Sequence, residues 1–465
     1  MPIPNQTPNP SPNPNRDPSL RSLLRRPVIH YDKISHVYWT PERDGNYTSI
    51  LEDAARDLLR QCGLNPKTEN GEVISQLDRE MNRIRMDCGV DFAGPISGYP
   101  KGLHQVSDRK CLVTRTFKLI KPGPGDWPTI DSIFEGLFGQ TQSHYIFLWL
   151  KRGYEALAAG KRSPGQALVF AGPVDCGKSF VQGHIITPIL GGRSCRCYRY
   201  LRGDTTFNGD MFEVEHLMVD DDVPSSRTDS RLSLAAHIKS IVASGVQSCH
   251  YKNRDAFPVT PFWRLTMSVN DSQEELTVLP IMTESIKDKI SLFKASTFEM
   301  PMPTVTEEER EAFRARIEVE LPAFIAYLLR LTIPEDMQSR RFGVTHYHDP
   351  DLVDALHEIS PEARLLAIID PVLFSFIAMD DRESEPNYDD WQGTASDLER
   401  QLMASDFKHE VGRILTWSNA CGTYLGRLAA LFPWRVEKHR MSNNRAWIIH
   451  PPRQEPPTPG SGNGH

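Results

Sequence analysis

The stretch Gly172-Pro-Val-Asp-Cys-Gly177-Lys178-Ser179 has the spacing G-x-x-x-x-G-K-S and follows directly on the apolar run Ala167-Leu-Val-Phe-Ala171. The run is rich in strand formers, and Phe180 to Leu190 reads as a helix, so the motif sits in the strand-loop-helix setting of a phosphate-binding loop. This commits the core to an α/β fold. Glycines at these positions let successive backbone N–H groups wrap a phosphate, and the helix N-terminus adds positive potential. Lys178 then reaches the β/γ-phosphates and Ser179 ligates Mg²⁺, so ATP and Mg²⁺ are the expected cofactors. Gly172, Pro173, Val174, Asp175, Cys176, Gly177, Lys178, Ser179 and Phe180 form the expected nucleotide cradle.

Hydrolysis needs a metal-side carboxylate and a group that orients water. Glu215-His-Leu-Met-Val-Asp-Asp-Asp222 is an apolar strand that ends in carboxylates about 40 residues after the loop, the pattern of a strand delivering both groups. Asp220 is read as the metal-side residue and Asp221 as the base; three tandem Asp residues leave Asp222 an alternative base. Phe262-Trp-Arg-Leu-Thr-Met-Ser-Val-Asn270 is another apolar strand, and Asn270 at its end can hold the water or sense the γ-phosphate.

At 465 residues the chain has room for two to four domains. Its net charge of -7 excludes a polycation, so nucleic-acid contact requires local patches. Eight scattered Cys without a disulfide framework, and no leader-like start, suit a reduced, cytoplasmic setting. Cys195 and Cys197 lack the spacing of a zinc site and read as ordinary thiols. No apolar run reaches the roughly 20 residues of a membrane span. Residues 1–27 and 453–465 read as disordered tails, and 28–125 as a small α+β domain. After a Pro/Gly linker, two amphipathic helices (130–138 and 144–157) lead into the nucleotide-binding core at 126–300. A long charged helix from Glu307 to Arg330 opens a helical lid region, 301–380, and an acidic linker follows.

Residues 391–452 read as three helices and a basic hairpin, the outline of a winged helix. Between Lys408 and Arg453 there are eight Lys/Arg against two Glu, with Arg427 on the third helix and Lys438, Arg440 and Arg445 on the hairpin. That concentration is the footprint of duplex or phosphate-backbone binding.

In the order Gly172 to Ser179, Asp220 to Asp222, Ile238-Lys-Ser-Ile-Val-Ala-Ser-Gly245, the hairpin Gln247-Ser-Cys-His-Tyr-Lys-Asn-Arg254 and Ser268-Val-Asn270, the core resembles superfamily 3 helicases. More narrowly it is similar to the AAA+ part of phage and plasmid primase-helicases of the poxvirus D5 type. The resemblance implies an ATP-dependent DNA helicase or translocase, a homo-oligomeric ring, most simply a hexamer, and a hairpin that grips single-stranded DNA in the pore. It makes Lys252, with His250 and Arg254, the DNA-contacting candidate. It also implies a cation supplied across the subunit boundary. Downstream of the Asn strand, where the family carries arginines, this chain reads Ile286-Lys-Asp-Lys-Ile290, so Lys287 and Lys289 compete with Arg254 and Arg264 for that role. The implied setting is replication of a phage, plasmid or other mobile element in a bacterial cytoplasm. The alternative is an ATP-regulated nucleic-acid-binding switch that does not separate strands.

Overall fold

The computed structural model describes residues 27–452 except 69–70, 221–227, 253, 375–388 and 442–443. Both tails and most of the acidic linker therefore lie outside the described residues.

The region 28–125 is two units rather than one. Strands β1 (His30–Asp32), β2 (Tyr38–Pro41), β3 (Tyr47–Ile50) and β4 (Gly89–Val90) form a sheet in the order β3-β2-β1-β4. Helices Glu52–Gln61 and Gln76–Asp87 lay Ala55, Leu59, Leu77, Met81 and Ile84 against Ile29 and Tyr38, which makes a separate small core. Strands β5 (Phe92–Gly94), β6 (Gly102–Val106) and β7 (Arg109–Val113) form a second sheet. Phe92, Val106, Cys111 and Val113 from this sheet pack into the core of the central domain. Short strands of mixed polarity carry too little periodicity to reveal that division in advance.

The central sheet contains β8 (Ala167–Ala171), β9 (Ser194–Arg196), β10 (His216–Asp220), β13 (Arg264–Val269) and β14 (Ile290–Lys294), with a hairpin of β11 (Gln247–Cys249) and β12 (Phe257–Val259) set apart. Its order is β14-β8-β13-β10-β9, and every neighbouring pair is parallel. β8, β10 and β13 are buried along their whole length, as strands covered by helices on both faces are. The two-residue period of a strand sorts β8 cleanly: Ala167, Val169 and Ala171 join one core while Leu168 and Phe170 join the other.

Helix Pro128–Ala158 is broken at Gly139 (φ 64°, ψ 173°), so it comprises two helices near the spans expected from sequence. Helix Glu307–Arg330 packs alongside and shares its core through Phe313, Ile317, Leu321 and Phe324. Trp127 gives the first helix no side-chain cap. Instead the buried Glu320 carboxylate accepts the N–H groups of Thr129 (2.9 Å) and Ile130 (3.0 Å), and Arg316 Nε holds its other oxygen at 2.7 Å. An anion there also complements the positive helix end.

Helix Pro361–Leu373 contributes Leu365, Ile368 and Ile369 to the core of the C-terminal module, so that unit begins earlier than the expected 391. Helices Ala395–Met403, Lys408–Ile414 and Ala420–Leu431 precede β16 (Val436–Met441) and β17 (Asn444–Ile449), in the order read from sequence. β15 (Trp391–Gly393), three residues long and unforeseen, pairs with β17. Thr394 caps the first of these helices in a capping box with Asp397. Among the described residues no helix is long and apolar enough to cross a membrane.

Replacing Glu320 by Ala is expected to lower unfolding free energy by about 2 kcal/mol. Urea denaturation followed by circular dichroism reads the effect, and Glu320→Gln, which keeps an acceptor, should lose less.

Candidate nucleotide-binding site and nucleic-acid-facing surfaces

The chain leaves β8 for the far edge strand β9 and later crosses from β13 to β14 on the other side, so strand order reverses next to β8. Ligands of open parallel sheets bind outside the carboxyl ends of the strands at such a point. The loop 172–179 lies there. A Cβ at position 172 would fall 2.3 Å from the carbonyl oxygen of Ala295, which explains the glycine. Gly177 has φ 106°, and Asp175 takes φ 59°, a left-handed geometry that Asp tolerates better than most residues.

Lys178 is buried (5% exposed), and its Nζ donates to the carbonyls of Gly172 (2.9 Å) and Pro173 (2.5 Å). Ser179 Oγ donates to Asp220 Oδ1 across the gap between loop and β10. Asp220 Oδ2 is 3.2 Å from Arg196 Nη2, which extends from β9 and is otherwise exposed. Asn270 follows β13, where Val269 pairs with Ala171, so the register carries its backbone past the start of the loop at Gly172, and the residue is half-buried. Lys178, Ser179, Asp220 and Asn270 thus meet at the ends of three adjacent strands. Asp221 and Asp222 lie outside the described residues. The hydroxyl of Ser179 and the carboxylate of Asp220 are hard oxygen donors that fit Mg²⁺, which takes few protein ligands and shares the rest with phosphate and water. Phe180 stacks on Phe313 at 4.9 Å and 8°, which ties the loop's helix to Glu307–Arg330.

Sequence reasoning missed the polar layer beneath the site. Gln182 Nε2 donates to Thr266 Oγ1 (2.7 Å), and Gln182 Oε1 accepts from Ser268 Oγ (2.7 Å). Thr187 donates to the Gln182 carbonyl (2.9 Å), which leaves its oxygen to accept from His216 Nδ1 at 2.7 Å. His216 Nε2 then accepts from Thr266 Oγ1 at 2.8 Å. This donor-acceptor sequence assigns a neutral Nδ1–H ring. Burial alone holds the His216 pKa down to about 3. The signal in the sequence was a His opening an otherwise apolar strand and a Gln four residues after the loop lysine. Arg196 was also missed, because a lone Arg beside two Cys has no motif.

The cation candidates separate by burial. Arg264 is 1% exposed at the start of β13, the end of the strand away from the loop, so it cannot act as a finger toward a neighbour. Its charge is enclosed by its own chain. Lys289 is largely covered and bonded to Asp288 (2.5 Å). Arg254 faces inward, over the Tyr251 ring and 3.7 Å from Asp32 in β1. Lys287 is half-exposed, paired only with the exposed Glu284 among the described residues.

On the hairpin between β11 and β12, Lys252 is exposed, while His250 is half-buried with its ring 5.0 Å from Phe207. In the C-terminal module Lys438, Arg440 and Arg445 are exposed, and Arg440 sits directly opposite Arg445 across the strand pair. Arg427 is drawn toward Glu362 (3.4 Å) and lies over Tyr424, and Arg435 is buried against Asp370, so neither adds a free charge to that surface.

A family model described only as a family of unknown function (DUF5906) matches residues 170–280, from the end of β8 through β13. A search of curated proteins returned no match. Among solved structures, the chain is similar to the apo C-terminal region (305–718) of NrS-1, with TM-score 0.51 and 12% identity over 93% of this chain and 97% of that one. A further structure of that region gives TM-score 0.50 at 11% identity over 93% and 98%. A weaker likeness, TM-score 0.38 at 11% identity over 91% and 93%, is to a structure described as the active helicase Cch of SCCmec type IV. The likeness to NrS-1 speaks to the fold, which is shared across nearly the whole of both chains.

Because His216 is held neutral in the folded chain and titrates near 6.5 when unfolded, protons favour unfolding below that pH. Its contribution is full above pH 6.5 and is lost progressively toward pH 3. His216→Gln should therefore flatten the pH dependence of stability by about 1.4 kcal/mol per pH unit between pH 6 and 4. Urea midpoints collected across that range test it.

Proposed function

We propose that the chain is an ATP-dependent DNA helicase or translocase of superfamily 3 type, built on an AAA+ core with a C-terminal winged helix and working as a homo-oligomeric ring. The observation that carries this reading is the meeting of Lys178 and Ser179 with Asp220 at the end of β10, with Asn270 on the strand between. Lys178 transfers its donors from the Gly172 and Pro173 carbonyls to phosphate oxygens. Bound Mg²⁺ supplies charge neutralisation on the phosphates, and Ser179 and Asp220 hold it. Asp221, or Asp222 in its place, accepts the proton of the attacking water, and Asn270 orients that water. The nucleotide lies at a subunit boundary, and Lys287 supplies the neighbour's cation; its exposed pair with Glu284 is weak and easily exchanged.

Lys252 contacts the strand in the pore. Two arginines held opposite each other, as Arg440 and Arg445 are, destabilise a hairpin unless an anion lies between or beside them, which supports a phosphate backbone as the partner of this wing. The replication of a phage, plasmid or other mobile element in a bacterial cytoplasm is the setting this function fits.

Lys178→Ala should abolish ATP hydrolysis and displacement of a strand from a forked DNA, while Lys252→Ala keeps basal hydrolysis and loses displacement. DNA-stimulated hydrolysis without displacement by the unmodified chain would instead identify a switch, and hydrolysis at the original rate by Lys178→Ala would remove the nucleotide assignment. The double change Arg440→Ala and Arg445→Ala should weaken duplex binding and lower the log-log salt slope by about 2, read by fluorescence anisotropy at several salt concentrations.

A further inference from the structure

Arg264 is no finger, yet its burial is informative. The guanidinium has five N–H donors. Nη1 donates to the carbonyls of Ser163 (2.7 Å) and Trp263 (3.1 Å), but Nε and Nη2 find no acceptor among the described residues. Burial, and then the like charges of Arg152 and Arg162, draw its pKa down to about 9. Its planar head lies 4.8 Å from the Phe262 ring and 5.6 Å from that of Trp149. A Cβ at position 165 would approach Nε to 2.8 Å, so the slot is closely fitted. A buried cation without a counter-ion is costly, and its field extends into whatever lies in front of it.

Phe262, whose ring the guanidinium meets, lines a cleft of about 390 Å³; Arg264 itself sits one layer behind and does not line it. Small-ligand sites span about 300–1,000 Å³. Phe262 and the segment 160–162 form one side; Tyr99 and His104, with rings edge-on at 5.5 Å, form another. Lys161 and Arg162 line the cleft and no carboxylate does. The helix Pro128–Ala158 ends beneath, where Gly160 (φ 59°) and Lys161 return N–H bonds to Leu157 (3.1 Å) and Ala156 (2.9 Å) and so fix where Lys161 starts. Cations after a helix C-terminus are ordinary, and alone they would mark nothing. The uncompensated Arg264 behind them is what distinguishes this cleft. Thr260, directly after β12, also lines it, which places the cleft at the root of the hairpin and at the end of β13 away from the phosphate loop.

We propose that this cleft is a second site, which binds the phosphate of a nucleotide unit through Lys161 and Arg162 and takes its base against Tyr99. A free mononucleotide and an internal nucleotide of a single strand share that chemistry. The test uses the full chain carrying Lys178→Ala, titrated calorimetrically with dTMP and, separately, photo-crosslinked to single-stranded DNA containing 4-thiothymidine, with peptide mapping. Lys161→Glu should weaken dTMP binding about tenfold, or remove crosslinks to 97–104, at an unchanged melting temperature. dTMP binding without crosslinks identifies a free nucleotide as the ligand, and crosslinks without dTMP binding identify a strand. The site is overturned if neither signal is seen, or if the signal is indifferent to both Lys161→Glu and Arg162→Ala. None of these readouts depends on ATP hydrolysis, so they stand or fall separately from the activity proposed above.

Discussion

The amide of Gln182 is the joint on which the candidate nucleotide site depends. It projects from the helix that begins at Lys178 and grips β13 at Thr266 and Ser268, while Thr266 in turn bonds His216 of β10. Hydrogen bonds inside a core fix distance and rotation far more narrowly than apolar packing, because an unpaired buried donor costs about 1–3 kcal/mol. Three separate elements that carry Lys178, Asp220 and Asn270 are thereby held in one register. A slip of one residue between β10 and β13 would break the chain at Thr266 and turn Asp220 away from Ser179.

The strand-loop-helix placement of 172–179 was legible because the pattern is made of adjacent residues: two glycines, a lysine and a hydroxyl within eight positions, after a strand. Asp220 and Asn270 were legible as polar ends of apolar runs. What could not be read was everything made by residues distant in sequence. Arg264 looked like an available cation until β13 proved to be central and its first residue enclosed by the segment around Ser163. Arg254 looked like a strand contact until Asp32, more than 200 positions away, lay beside it. Burial and charge pairing are tertiary facts, and a linear pattern does not carry them.

Which elements share a core was hidden for a related reason. The strands β5–β7 and helix Pro361–Leu373 each carry an apolar face that must be covered, and sequence shows the face without showing which neighbour covers it. Here β5 and β7 are covered by the central domain, with Phe92 against Tyr251 and Phe257 of the hairpin, and Pro361–Leu373 by the helices that follow it. The first of these contacts means that the hairpin rests on the N-terminal strands rather than projecting freely.

Lys178 satisfies its ammonium with carbonyls of its own loop. On the proposed reading the loop therefore does not pass through a bare, unsolvated charge when a nucleotide departs, since two acceptors already stand within reach. An exchange of partners of this kind lowers the net affinity for the bound phosphate and the barrier to its release together. For a chain that cycles as proposed, that is useful: a site that lets go of its product readily is limited by the step that does mechanical work, not by waiting to be emptied.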